Sequence, residues 1–144
     1  MTIYVLYYTY MMYRIYLVDD DRFLLDLYAV KFRDAGHEIS VFGSGEDLLA
    51  ALRKSESVSP DVILLDLIMP GISGFETLET IRKENLAKGA KIVILSNQGQ
   101  DSDIEKAKQL AADGYIIKAS AIPSEVFAET IRTIESGAPS PGAH

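Results

Sequence analysis

Short runs of apolar residues alternate along this chain with segments whose apolar positions recur every three or four residues. The runs read as buried strands and the periodic segments as amphipathic helices. Their regular exchange from Arg14 onward predicts βαβ units around a parallel sheet. Arg14 to Val18 is the first strand, followed by Asp19-Asp20-Asp21 and a helix striped by Phe23, Leu24, Leu27 and Tyr28 that closes on Ala35-Gly36. Glu38 to Phe42 is the second strand. A helix starting at Ser44 or Gly45 then turns Leu48, Leu49 and Leu52 inward and runs into a polar loop, Ser55 to Pro60.

The third strand, from Asp61, carries the densest run: Val62-Ile63-Leu64-Leu65, ending on Asp66 and broken by Pro70-Gly71. An apolar run without polar alternation needs cover on both faces, so this strand belongs in the middle of the sheet. Phe75, Leu78 and Ile81 stripe a third helix, expected to end near Lys88-Gly89. Lys91 to Ser96 is the fourth strand and Asn97 to Asp103 a polar loop. Ile104, Ala107, Leu110 and Ala111 form the weakest stripe of the five, so the fourth helix should be the least firmly held. Gly114 to Ile117 is the fifth strand, ending on Lys118, and a last helix starts at Pro123 with Val126, Phe127, Thr130, Ile131 and Ile134 on its inner face. The fold class is α/β, a (βα)5 doubly wound sheet. Right-handed crossovers alone permit more than one strand order.

Composition narrows the class. A length of 144 residues is about one domain, and 48% hydrophobic with 24% charged residues is ordinary for a soluble protein. A net charge of −7 argues against a direct nucleic-acid surface. Without cysteine there are no disulfides or thiolate metal sites, which fits a reducing compartment, so the expected location is cytoplasmic. Residues 1–12 form an uncharged, Tyr-rich extension, too short to cross a bilayer as a helix and lacking the basic start of a secretory signal. It reads as a loosely docked extension or upstream start, with an added β-segment as the alternative. No membrane insertion is expected. Residues 137–144, rich in Gly, Pro and Ala, read as a disordered tail.

The chemistry gathers at the C-terminal ends of strands, where α/β sheets present ligands. Asp19 and Asp20 follow the first strand, Asp66 the third, Ser96 the fourth and Lys118 the fifth. Asp21 is expected to cap the following helix. Grouped carboxylates repel unless a cation compensates, and a hard ion such as Mg²⁺ (or Mn²⁺) takes oxygen ligands of this kind. A hydroxyl and an ammonium opposite would meet the free oxygens of a phosphoryl group on Asp66. His37 and His144 read as a solvated loop residue and a tail residue, which disfavours an internal histidine relay.

From Tyr13 to Ser136 this ordered set resembles the receiver domain of two-component response regulators. Val18-Asp19-Asp20 is similar to that family's acidic pair, Asp66 within Leu65-Asp66-Leu67-Ile68-Met69-Pro70-Gly71 to its phosphoacceptor, Ser96 to its switch hydroxyl, Lys118 to its lysine and Tyr115 to its switch aromatic. The resemblance implies a flavodoxin-like receiver fold with strand order 2-1-3-4-5, and a domain over residues 13–136 resembling the stand-alone chemotaxis regulators. It implies Mg²⁺ on Asp20, Asp66 and the Ile68 backbone carbonyl, with Asp19 acting largely through water. It implies a phosphoryl group received from a histidine kinase or histidine phosphotransfer protein, and output to a target protein through the fourth helix, fifth strand and fifth helix. A phosphorylation-dependent homodimer stays open. On this reading the chain is a signalling phosphoacceptor and not an enzyme with a small-molecule substrate. The alternatives are a metal-dependent phosphatase with an aspartyl nucleophile, which would usually carry an acid where Ile68 stands, and a pseudo-receiver that binds partners without phosphorylation. Lys118 is followed by Ala119 and not by the proline usual in the family, so the Lys118–Ala119 bond should be trans and its loop re-routed.

Overall fold

The computed structural model describes residues 11–54 and 58–136. The expectations for residues 1–10 of the extension, for the tail and for His144 lie outside the described residues. Within them the chain runs β1 (Arg14–Val18), α1 (Arg22–Asp34), β2 (Glu38–Phe42), α2 (Gly45–Lys54), β3 (Val62–Leu65), α3 (Gly74–Lys83), β4 (Lys91–Ser96), α4 (Asp101–Gln109), β5 (Gly114–Ile117), a 3₁₀ turn (Lys118–Ser120) and α5 (Pro123–Glu135). All four strand pairings are parallel and the order is β2-β1-β3-β4-β5.

The two faces of the sheet bury alternate residues, which is why β3 carries no polar position. Ile63 and Leu65 join Leu48, Leu49 and Leu52 of α2, Leu78 and Ile81 of α3 and Ala107 of α4. Val62 and Leu64 join Leu25, Tyr28, Ala29 and Phe32 of α1 and Val126 of α5. Helices thus cover both sides, as a parallel sheet requires. Among the described residues no helix is long and apolar enough to cross a membrane.

Local chemistry sets the helix ends. Asp21 Oδ1 accepts from the Leu24 N–H at 3.1 Å and caps α1. Ser73 and Glu76 form a reciprocal capping box on α3. That helix ends at Lys83, short of the expected Lys88-Gly89, because Asn85 and Ala87 take positive φ (56° and 50°) ahead of Gly89, and such residues cannot continue a right-handed helix. α4 begins at Asp101, inside the expected polar loop. Its first turn is polar because it faces water, and the apolar stripe shows only further along. The hold on α4 is slight: Ala107 is its one buried residue, and Lys106 sits 4.7 Å above the Phe75 ring of α3.

His37 corrects an expectation. It is half-buried, its ring 5.4 Å from that of Tyr13 and 5.8 Å from that of Phe127. A solvated loop position would show neither contact. On α1, Phe23, Leu27 and Val30 make an outward apolar line at i, i+4 and i+7 beside the inward one.

Candidate functional site

Register places the acids. Val18 of β1 pairs with Leu65 of β3, so the next residues, Asp19 and Asp66, leave neighbouring strands side by side. Their backbones are held there: the Asp66 N–H donates to Val18 O and the Asp19 N–H to Phe42 O, each at 3.0 Å. Ser96 of β4 pairs with Ile117 of β5, which sets Lys118 at the same rim. Asp19, Asp20, Asp21, Asp66, Ile68, Ser96, Asn97, Gln98 and Lys118 line one open cavity of about 340 Å³.

Asp19 and Asp66 are buried, at 5% and 7% exposure, while Asp20 stands exposed at the mouth. Oxygens of the three carboxylates lie within 4.8 Å of one another. Lys118 Nζ lies 2.5 Å from Asp19 Oδ2 and 3.3 Å from Asp66 Oδ2. The remaining oxygens turn to backbone: Asp66 Oδ1 accepts from the Leu67 N–H at 2.8 Å and Asp19 Oδ1 from the Asp21 N–H at 2.9 Å.

One ammonium shared between two buried acids under-compensates them. Burial, then repulsion from Asp19, pushes the Asp66 carboxyl above its ordinary range against the pull of Lys118. Burial alone would lower Lys118, but its bond to Asp19 and the charge of Asp66 outweigh it and raise the ammonium's pKa. Three carboxylates facing one ammonium leave two negative charges among hard oxygen donors. That donor set fits a hard divalent cation.

The expected residues differ in what they touch. Ser96 is buried and its Oγ accepts from the Gln98 N–H at 3.2 Å. Tyr115 lies outside the cavity lining, and its hydroxyl donates to the carbonyl of Gln98, on the loop after Ser96. No cis peptide bond occurs among the described residues, and the chain after β5 winds instead through the 3₁₀ turn Lys118–Ser120.

Three contributors escaped the sequence reading. Asn97 and Gln98 line the cavity, and only their place just after a strand end could have signalled it. Gly74 is the third. Its N–H donates to Leu67 O at 2.8 Å, and a Cβ there would lie 2.1 Å from the Asp66 carbonyl oxygen and 2.8 Å from Leu67 Cα. Both atoms are backbone and cannot swing aside. Gly74→Ala should therefore force the end of β3 away from α3 and lower stability by about 1–3 kcal/mol. An unchanged denaturation midpoint would show that the Asp66–Gly74 loop relaxes freely.

The model of the response regulator receiver domain family matches residues 15–128. The DNA-binding response regulator MtrA of Mycobacterium tuberculosis is 33% identical over 105 residues, covering 73% of this chain and 43% of that protein. The nitrate/nitrite response regulator protein NarL of Escherichia coli K12 is 34% identical over 102 residues, covering 71% of this chain and 46% of that one. The chain thus spans less than half the length of these two relatives. Among solved structures, the Vibrio cholerae chemotaxis protein CheY4 superposes with a TM-score of 0.76 at 25% identity, over 85% of this chain and 99% of that one. The BeF3-activated DrrB receiver domain, from Thermotoga maritima, gives 0.73 at 28% identity over 87% and 99%. With five parallel strands in the order 2-1-3-4-5 and a family match over most of its length, the chain belongs to the response regulator receiver domain family of two-component systems.

Proposed function

We propose that Asp66 accepts a phosphoryl group from a phosphohistidine on a histidine kinase or histidine phosphotransfer protein, and that the resulting aspartyl phosphate is the signal. The observation that carries this reading is the grouping of three carboxylates within 4.8 Å around a lysine 3.3 Å from Asp66. One Asp66 oxygen forms the new P–O bond as the P–N bond breaks, and the electron pair of that bond returns to the imidazole. Asp20, Asp66 and the backbone carbonyl of Ile68, with Asp19 acting largely through water, would hold Mg²⁺ or Mn²⁺, which when bound would supply charge neutralisation for the phosphoryl oxygens. Lys118 turns from its two acids to pair with one phosphoryl oxygen. Ser96, whose Oγ already accepts from Gln98 N–H, has its own proton to give to another.

The output follows from what holds the Ser96 loop. Drawing Ser96 toward the phosphoryl group moves Gln98, and the Tyr115 hydroxyl bonds to the Gln98 carbonyl. That bond loosens, and the ring is released at the edge of α4, β5 and α5. With α4 anchored by little more than Ala107 and Lys106, this face can change shape at small cost. It is the surface offered to a downstream protein. A chain acting this way modifies itself and turns over no small substrate.

The test is incubation with a small phosphodonor such as acetyl phosphate and Mg²⁺, followed by mapping of the modified residue. A single phosphoryl group on Asp66 supports the reading. No modification, or one on another residue, overturns it.

The neighbouring acids Asp20 and Asp21 should separate in their roles. Asp20→Ala is expected to weaken Mg²⁺ binding by at least about tenfold, on the scale seen when metal-site residues are removed. It should leave the metal-free melting temperature nearly unchanged, because Asp20 is exposed. Asp21→Ala should do the reverse, lowering stability by about 1 kcal/mol through loss of the α1 cap while sparing the ion. Equal losses of Mg²⁺ affinity in a titration would show the register of the acids to be wrong.

A further inference from the structure

At the end of the sheet away from the acids, His37 joins three elements. Its Nδ1 accepts from the Tyr13 N–H at 3.1 Å, immediately before β1. Its ring lies nearly parallel to that of Tyr13, with 22° between the planes, and 5.8 Å from the ring of Phe127 on α5. The backbone N–H of His37 donates to Phe32 O at 3.1 Å, fixing the residue to the end of α1. Tyr13 completes the junction through its hydroxyl, which donates to Glu135 Oε2 at 2.9 Å in the last turn of α5. The hydrogen bond at Nδ1 requires a neutral imidazole with its proton on Nε2. Once both nitrogens are protonated, an N–H faces an N–H.

We propose that His37 is a proton-operated latch: neutral, it ties the start of β1 to α5; protonated, it drops the Tyr13 N–H and slackens the last turn of α5. The groups around it set its balance. Glu135 of α5 favours the proton, and Lys31 of α1 lies 6.0 Å from the centroid of the Phe127 ring that His37 packs against. The Tyr13 hydroxyl donates to Glu135, and the carboxylate of Glu38, next in the chain, is held by Arg14 at 2.9 Å. Burial outweighs Glu135 and keeps the imidazole below its ordinary 6.5. The fold therefore favours the neutral ring. The stability it contributes is complete above about pH 6.5 and is lost as the pH falls from there toward the folded-state value. None of this depends on phosphoryl chemistry, although α5 also forms part of the proposed output face.

The test is an NMR titration of the full chain, with His144→Ala used to identify the second imidazole. The His37 ring should titrate below 6.5, with the Tyr13 amide and the last turn of α5 following the same midpoint. The melting temperature should fall more between about pH 7.5 and about pH 5 than in His37→Asn, whose side-chain oxygen can accept from Tyr13 without titrating. A His37 midpoint at or above 6.5, or a Tyr13 amide that stays still while the ring titrates, overturns the latch. Because the titration uses the native histidine, a misfolded His37→Asn leaves it decisive.

Discussion

Asp66→Asn is expected to abolish labelling by a small phosphodonor while raising the melting temperature of the metal-free protein. The two effects share a cause. Asp66 is 7% exposed, its carboxyl is pushed up first by burial and then by Asp19, and Lys118 is shared with that second acid. A carboxyl whose folded-state pKa is raised weakens the fold in full above the raised value, where it must ionise against its surroundings, and this cost is relieved as the pH falls from there to the ordinary carboxylate range. Asparagine keeps the shape and can still accept from the Leu67 N–H, but it carries no charge. Lys118 is then left to Asp19 alone. The gain should be about 0.5–2 kcal/mol, the range common when a functional residue is replaced by a better-fitting neutral one. It should shrink in acid, where Asp66 of the wild type is itself protonated. Thermal denaturation at neutral and acidic pH, beside phosphodonor labelling, checks both halves. Labelling that persists, or a melting temperature that falls at neutral pH, would show that the Asp66 charge is not the strained group.

The strands were legible in the sequence because burial on both faces leaves a local mark: Val62-Ile63-Leu64-Leu65 can sit nowhere but between two helical layers. The order 2-1-3-4-5 left no such mark and came through resemblance. The acids at the rim were legible because Asp66 and the Asp19–Asp20 pair interrupt apolar runs abruptly. How they are wired was not. That Lys118 leans more closely on Asp19 than on Asp66 depends on the 3₁₀ turn following β5, which no pattern of apolar positions encodes. Helix ends misread where solvent decided them. Asp101 looks like loop because the first turn of α4 faces water, and the end of α3 is set by the positive φ of Asn85 and Ala87, of which only the asparagine carries even a weak signal for that backbone region. Gly74 and His37 failed for one reason: each matters through a neighbour distant in sequence or hidden in backbone, the carbonyl of Asp66 in one case and the Tyr13 N–H in the other.

Lys118→Ala should be the most damaging single substitution at the rim, and one that a metal can partly reverse. Removing the ammonium leaves the carboxylates of Asp19 and Asp66, with side chains 8% and 9% exposed, facing one another without a counter-charge. Breaking a buried ion pair by deleting one partner typically costs about 3–5 kcal/mol, because the surviving charge keeps its desolvation penalty and loses its compensation. In the wild type, Lys118 has a folded-state pKa raised by these acids. Its contribution is therefore fully present below its ordinary value of about 10.4 and is lost only in strong alkali. The variant behaves oppositely, recovering as the pH falls and Asp66, already raised by burial, takes up a proton. Divalent cation should restore it as well, since Mg²⁺ binding to the folded state stabilises by mass action and supplies the missing positive charge. The expected outcome is a large drop in melting temperature at neutral pH without metal, a smaller one in acid, and a larger Mg²⁺-induced rise in the variant than in the wild type. Phosphodonor labelling should stay low even with saturating Mg²⁺, because the ion replaces the charge of Lys118 and not its reach to the phosphoryl oxygen. A Lys118→Ala protein as stable as the wild type at neutral pH, with no added response to Mg²⁺, would mean that the two carboxylates are not held against their repulsion by this lysine.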